Sequence, residues 1–348
     1  MNDRVLHNVN DVSFSVLQSL TPLHTFGLAA NCFQFTTVNS LESLLALQER
    51  LQKKPFILLG EGSNTIFTRD YDGLVVKNEL KGVHISEDED NYHLHVASGE
   101  NWHDLVCFCL SKEIYGFENL ALIPGTVGAS PIQNIGAYGV EIERFVHSVE
   151  FLDVKSGRMS HFTNKECEFA YRESRFKLES DALRIITAVN FVLPKRNKLI
   201  ATYGPLAELD NPTPQSIFEK VVETRKSKLP DPKILGNAGS FFKNPNITIV
   251  EFQSLQSAYP DMPFYRAPEG KIKIPAAWLI DKLGFKGYKQ GDIACHQNQA
   301  LVLVNHGHGT GEDLLILARE IRDKVLETFA IKLENEVRLM GRAAQIEL

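Results

Sequence analysis

The sequence predicts a chain of mixed class, helices and strands together, folded around two or three cores. Three observations carry this. At 348 residues and 43% hydrophobic content the chain has apolar material for more than one domain. Short apolar runs at 56–59 (FILL), 74–77 (LVVK) and 300–304 (ALVLV) read as buried strands. Longer stretches between them carry helical spacing, with no internal repeat and no low-complexity tract.

Taken in order, a helix is expected from about Ser40 to Gln52, with Asn39 as cap and Glu42 three residues on. A second starts at Asn101, with Asp104 three residues on, and turns Leu105, Val106, Cys109 and Leu110 inward. Residues 185–193 alternate, so that Ile185, Thr187, Val189, Phe191 and Leu193 point one way along a strand. Four prolines (Pro194, Pro205, Pro212, Pro214) make 194–215 a poor regular element, and LPDPK at 229–233 is a second break. A domain boundary is expected within 195–230. A last helix covers 312–329, with Leu314, Ala318, Ile321, Val325 and Phe329 on one stripe and Thr310 as cap.

A formal net charge of −6 argues against a nucleic-acid partner, though a local Lys/Arg cluster suffices for a small anion. Five cysteines, an odd number in a long chain, point to a reducing compartment. Cys107 and Cys109 are two apart on a helix and do not share a face. The N-terminal stretch has no apolar core of signal-peptide length, and no segment reaches the ~18–20 apolar residues a membrane span needs. A soluble, cytoplasmic protein is expected. His306 and His308 in NHGHGTG lack an evident third ligand, so no metal is assigned.

The motifs are mostly glycine turns and cationic runs. In LLGEGSNTIF (58–67), Gly60 and Gly62 permit positive φ and close approach of an anion to backbone N–H groups, while Ser63, Asn64 and Thr65 add donors. The turn matches neither the P-loop nor the dinucleotide fingerprint. LIPGTVGASPIQNIGAYGVE (122–141) has four glycines and two prolines, yet enough apolar side chains to be buried. It is either a loop packed between domains or a cradle for a ligand rich in acceptors. EFAYRESRFK (168–177) offers Arg172 to a carboxylate, or is a solvated charged face. ETRKSKLPDPK (223–233) gathers Arg225, Lys226, Lys228 and Lys233, suited to phosphates or to a surface linker. In LENEVRLMG (333–341), Glu334, Glu336 and Arg338 share one face of a strand, as an ordinary ion pair or a matched acid and base. In GNAGSFFKNP (236–245), residue chemistry by itself favours Ser240 as a structural serine; it is not in the G-x-S-x-G elbow of a hydrolase.

Together, HTFG (24–27), GEGSN, IPGTVGASPIQNIGAYGVE, YRES.FK, LPDPK, GNAGSFFKNP, AAWLID and LENEVR, in this order, resemble the UDP-N-acetylenolpyruvoylglucosamine reductases, in the subclass with a tyrosine-bearing loop. The resemblance implies an α+β chain. It would have a vanillyl-alcohol-oxidase-type (PCMH-type) FAD-binding fold of two subdomains and a C-terminal α+β substrate-binding domain. The implied division is an N-terminal extension over 1–20, without assigned role; subdomain 1 over 21–80, to which 331–348 returns; subdomain 2 over 81–220; and the substrate domain over 229–330.

The resemblance also implies non-covalent FAD, NADPH as reductant, a UDP-sugar substrate and a monomer. FAD would be held by Gly60, Gly62, Ser63, Asn64, Thr65, Pro124, Gly125, Ser130, Asn134, Gly136, Ala137 and Tyr138. Hydride would pass from flavin N5 to C3 of the enolpyruvyl group, leaving an enolate. Arg172 and Glu336 would sit at its carboxylate, with Glu336 protonated and its pKa raised. Ser240 would give the proton to C2, with Phe241 and Phe242 excluding water. Tyr203, Lys228, Asn244, Tyr265, Lys273, Gln299 and Arg338 would bind the UDP-sugar or support the site. Arg266, after the loop tyrosine, departs from the family pattern. Two rivals remain: an oxidase of the same fold, and a non-catalytic sugar-nucleotide binder.

Overall fold

The structure, a computed structural model, describes residues 13–177 and 183–348. The chain divides into two units. Unit 1 holds residues up to Gln18, Cys32–Glu61 and Asp72–Ser227; unit 2 holds Ser19–Asn31, Gly62–Tyr71 and Lys228–Leu348. The chain passes from unit 1 to unit 2 for the last time between Ser227 and Lys228. In these units residues 19–31, 62–71 and 331–348 group with the C-terminal half, and 81–220 groups with 32–61 and 72–80. Of the expected extension, residues 1–12 lie outside the described residues. From Ser13 on it belongs to the fold: Ser15 bridges Phe35, and Phe14 is buried beneath the Arg50 guanidinium, 4.0 Å from its ring centroid.

Unit 1 is built on two sheets. In one, Phe56–Leu59 runs parallel to Tyr71–Asn78, which neighbours Asn31–Val38. Helices α1 (Leu41–Ala46) and α2 (Gln48–Lys53) share a core with it through Leu44, Leu47, Leu51, Leu74 and Val76. The cap is Ser40, not Asn39; its side chain accepts from Ser43 N and the Ser43 hydroxyl answers Ser40 N, while Leu47 splits the expected single helix.

The second sheet is antiparallel, in the order Arg158–Thr163, Val146–Asp153, Arg184–Pro194, Asn91–Ala97, Val83–Glu87. Helix α3 (Trp102–Ser111) starts at Asn101, whose side chain accepts from Asp104 N. Leu105, Val106 and Cys109 share a core with Val149, Phe151, Val189 and Phe191. Helix α4 (Pro214–Lys228) adds Ile217 and Val221 to that core. It was not expected among so many prolines, but Pro214 is at the first helical position, where its missing N–H costs nothing. The alternation along 185–193 breaks: Ile185 through Val189 are all buried, because a register shift intervenes where Phe151 and Glu150 face Ile186 and Ala188.

Unit 2 has a four-stranded antiparallel sheet ordered Gly236–Ser240, Val302–Asn305, Ile293–Cys295, Lys289–Gln290. Helices α5 (Ile249–Ala258), α6 (Ala276–Lys282) and α7 (Gly311–Phe329) share its core. Helix α7 carries the expected stripe, and Thr310 and Asp313 close a reciprocal capping box. The C-terminal strand Arg338–Met340 runs parallel to Thr65–Phe67. Among the described residues no helix is long and apolar enough to cross a membrane.

His24 is buried beside the Gly62 turn, its Nε2 against Leu28 O at 3.2 Å and its Nδ1 without a partner. Burial outweighs the hydrogen bond and lowers its pKa from 6.5 to about 4. The unfolded chain therefore takes this proton first. Stability from a neutral His24 is complete above pH 6.5 and is lost as pH falls toward 4, by roughly 3 kcal/mol. Thermal midpoints of wild type and His24→Asn at pH 7 and pH 4.5 test this: the variant should fall less between the two.

Candidate functional site

The candidate residues fall on both units, and each group is built differently. In unit 1 the segment 122–141 is an irregular path held by the protein's own groups. Its turns rely on positive φ at Leu122, Gly125, Asn134, Tyr138 and Gly139. Gly136–Ala137 pairs with Val140–Glu141, and the Tyr138–Gly139 turn between them has both φ values positive, as a type I′ hairpin turn demands. Val127 N–H and Gly128 N–H donate to Glu100 O and Ser98 O. Two expected cofactor contacts turn inward. The buried Ser130 hydroxyl donates to Val127 O at 2.7 Å. The fully buried Asn134 amide donates to Glu141, Glu143 and Ala170 O, and its oxygen accepts from Glu143 N. These side chains shape the segment from within and are spent on the protein. Pro124 is exposed, and Gly125 N–H donates to Glu61 Oε2 at 3.0 Å.

Glu61 is a connection that the sequence did not reveal. Its other carboxylate oxygen accepts from Asn101 Nδ2 at 2.5 Å, so one side chain ties the glycine turn to segment 122–141 and to the start of α3. The only signal was a charge inside a glycine turn. Gly60 faces the same segment: a β-carbon there would lie 2.7 Å from the Thr126 hydroxyl, a side-chain group.

Arg172 adopts φ +56, in the left-handed region that few side chains occupy. Its Nη2 donates to Gly136 O at 2.9 Å, and its backbone oxygen accepts from Lys177 Nζ at 2.5 Å. Arg225, in the last turn of α4, has a buried Nε without a hydrogen-bond partner, and its charge acts on Tyr138 and Arg172. Burial, then the neighbouring Arg172, pulls its pKa below the usual arginine value. Burial raises the Tyr138 hydroxyl against the pull of Arg225. Tyr203 is exposed, with its Cβ 3.5 Å from where a Gly139 β-carbon would sit. Lys228 is exposed just beyond, where the chain enters unit 2.

In unit 2 one extended segment organises the candidates. Residues 334–336 pair with 241–243: Lys243 N donates to Glu334 O at 2.9 Å, Glu336 N donates to Phe241 O at 2.8 Å, and Phe242 bridges Asn335. The same segment continues past Asn64, whose amide donates to Glu336 O at 3.3 Å and whose backbone oxygen accepts from Arg338 N at 2.9 Å. Ser240 and Glu336, both partly exposed, are thereby fixed on neighbouring backbones with the glycine turn alongside. The alternation expected at 333–339 holds: Leu333, Val337 and Leu339 are buried, while Glu334, Glu336 and Arg338 are not. Burial lowers the Arg338 pKa, and Tyr71 opposes it. Phe241 and Phe242 are each 1% exposed and pack edge to face at 4.9 Å, so the chain after Ser240 is sealed from water.

Gly62, Ser63 and Thr65 surround Asn64. Thr65 is buried at the start of its strand, and Gly62 has φ +66. A Gly62 β-carbon would collide with Leu23 O and lie 2.7 Å from His24 Cα. Tyr265 and Lys273 are opposite each other in a small antiparallel pairing, Tyr265 46% exposed. Asn244 Oδ1 accepts from Ala276 N at the start of α6, and Gln299 Oε1 accepts from Leu301 N. Each fixes local backbone. Among the described residues no group of three or more His, Cys, Asp or Glu is arranged to hold a metal.

These residues fit a large non-covalent dinucleotide. A side chain at Gly62 would collide with backbone, so the turn stays bare there and leaves room for an anion to approach its main chain. The family described as FAD binding domain matches residues 31–163, and that described as UDP-N-acetylenolpyruvoylglucosamine reductase, C-terminal domain, matches 231–340. The reductase of that name from Pseudoalteromonas atlantica is 52% identical over 97% of this chain and 98% of its own. That from Pseudoalteromonas translucida is 48% identical over 95% and 97%. The solved reductase from Thermus caldophilus shares the fold, with a TM-score of 0.64 at 23% identity over 93% of this chain and 99% of that one.

The two glycines of the turn make a paired test. Gly62→Ala meets backbone and costs roughly 1–3 kcal/mol; Gly60→Ala meets a hydroxyl that can rotate. FAD per protein after purification should fall well below wild type for Gly62→Ala and stay near it for Gly60→Ala. Equal retention in both would contradict the confinement described.

Proposed function

The chain belongs to the UDP-N-acetylenolpyruvoylglucosamine reductase family, and from that premise we propose how its residues divide the work. The protein is an FAD-containing oxidoreductase with NADPH as reductant. It reduces UDP-N-acetylglucosamine enolpyruvate to UDP-N-acetylmuramate, in peptidoglycan precursor synthesis. Bound FAD supplies the two-electron relay between NADPH and the carbon–carbon double bond. The bare turn at 60–65 and the segment 124–138 would hold it.

Reduction at C3 leaves negative charge at C2, which spreads into the adjoining carboxylate. Stabilising it takes partners positioned beforehand. Arg172 supplies a cation braced through Nη2 on Gly136 O. Glu336, in its protonated form, donates a hydrogen bond to the carboxylate, and the Ser240 hydroxyl delivers the proton to C2. One observation supports this most: the bond from Glu336 N to Phe241 O at 2.8 Å fixes the two residues on adjacent backbones, before sealed aromatic rings. A neutral hydroxyl needs no prior ionisation, and excluding water prevents uncontrolled protonation. Tyr203, Lys228, Asn244, Gln299 and Arg338 serve the UDP-sugar. Tyr265 and Lys273, opposite each other, meet its diphosphate on the tyrosine-bearing loop. The enzyme acts as a cytoplasmic monomer.

Purified protein should be yellow and release FAD on denaturation. In Ser240→Ala, NADPH should bleach the flavin at near the wild-type rate. Re-oxidation by the enolpyruvyl substrate should slow by ~10²–10⁴-fold. Equal slowing of both half-reactions would remove Ser240 from the proton-transfer role.

A further inference from the structure

The inward-turned cation of α4 has no counter-charge. Lys226 and Lys228 in the same last turn are exposed and complement the helix terminus from solvent, whereas the Arg225 Nε is buried without a hydrogen-bond partner. Among the described residues no carboxylate forms an ion pair with Arg225. The charged residue that acts on it is a like charge, Arg172. Burying a guanidinium beside another is unfavourable unless an anion completes the arrangement. Arg172 is partly committed, since Nη2 donates to Gly136 O. Tyr138, whose hydroxyl feels the Arg225 charge, is carried by a hairpin whose turn is held by Asn119: its Nδ2 donates to Tyr138 O at 2.9 Å and to Ile200 O at 2.8 Å. A carboxylate has about four lone-pair sites, enough for one donor from each guanidinium and one from the phenol, with a site to spare.

We propose that Arg225 is a second guanidinium for the enolpyruvyl carboxylate, acting with Arg172 and Tyr138 as a receptor that recognises the enolpyruvyl group. The proposal rests on the reductase function above. It makes Arg225 a specificity residue, separating substrates that bear the carboxylate from UDP-sugars that lack it. The other oxyanion source is a cofactor phosphate, which the same experiment separates.

Arg225→Met and Arg225→Lys holoenzymes are compared with wild type for FAD content, NADPH bleaching and binding to the oxidised enzyme. The two ligands are the enolpyruvyl substrate and UDP-N-acetylglucosamine, which has no carboxylate. Arg225→Met should keep its FAD, bleach normally and hold UDP-N-acetylglucosamine within about threefold, while the enolpyruvyl substrate binds ~10–100-fold more weakly. Arg225→Lys should recover part of that loss; if the Met variant does not fold, the Lys variant carries the same comparison with a smaller ratio. Equal weakening of both ligands, no change in either, or loss of FAD overturns the proposal, the last identifying a phosphate contact. Wild type that neither bleaches with NADPH nor binds the enolpyruvyl ligand indicts the reductase function instead.

Discussion

One extended segment, residues 334–340, holds the residues to which the proposed proton transfer in unit 2 is assigned. On one side its backbone pairs with 241–243; on the other it accepts and donates hydrogen bonds at Asn64 and then runs parallel to Thr65–Phe67. The glycine turn, the hydroxyl of Ser240 and the carboxyl of Glu336 are thus set in register by main-chain bonds. Main-chain pairing allows little slack, and proton transfer demands little slack. Val337 and Leu339 anchor the segment in the apolar core, which also holds Phe241, Phe242 and Ile66. The arrangement therefore draws its rigidity from packing that has no chemical role.

Unit 1 contributes a different resource. Segment 122–141 turns Ser130 and Asn134 inward to hold its own irregular backbone, and Asn119 holds Tyr138 O from outside the segment. Such self-sufficiency lets a loop keep its shape before a ligand arrives, which lowers the ordering cost of binding. The exception is cationic. The buried Arg225 Nε has no hydrogen-bond partner, and it is there that the proposal places the carboxylate of the substrate.

Much of this was legible in the sequence wherever a signal was local. The Asn101 and Thr310 caps were readable because the bonding partner is three residues away. Alternation at 333–339 revealed which side chains turn outward. Helix α4 was hidden because prolines mark breaks without saying which side of a break begins a helix. The strand at 184–194 was misread because a register shift leaves no mark in composition. Ser130 and Asn134 show a deeper limit. A polar residue in a glycine-rich stretch satisfies a ligand or its own backbone equally well, and only tertiary geometry decides. Glu61 and Arg225 depend on partners distant in sequence, which the local pattern does not contain.

The central claim is that a backbone-fixed alcohol, and not solvent, quenches the enolate. It is tested most directly by a single turnover of pre-reduced Ser240→Ala in heavy water, with analysis of deuterium and chirality at C2 of the product. The account predicts slow incorporation with stereochemistry eroded from that of wild type. Rapid incorporation on a single face, indistinguishable from wild type, would contradict it.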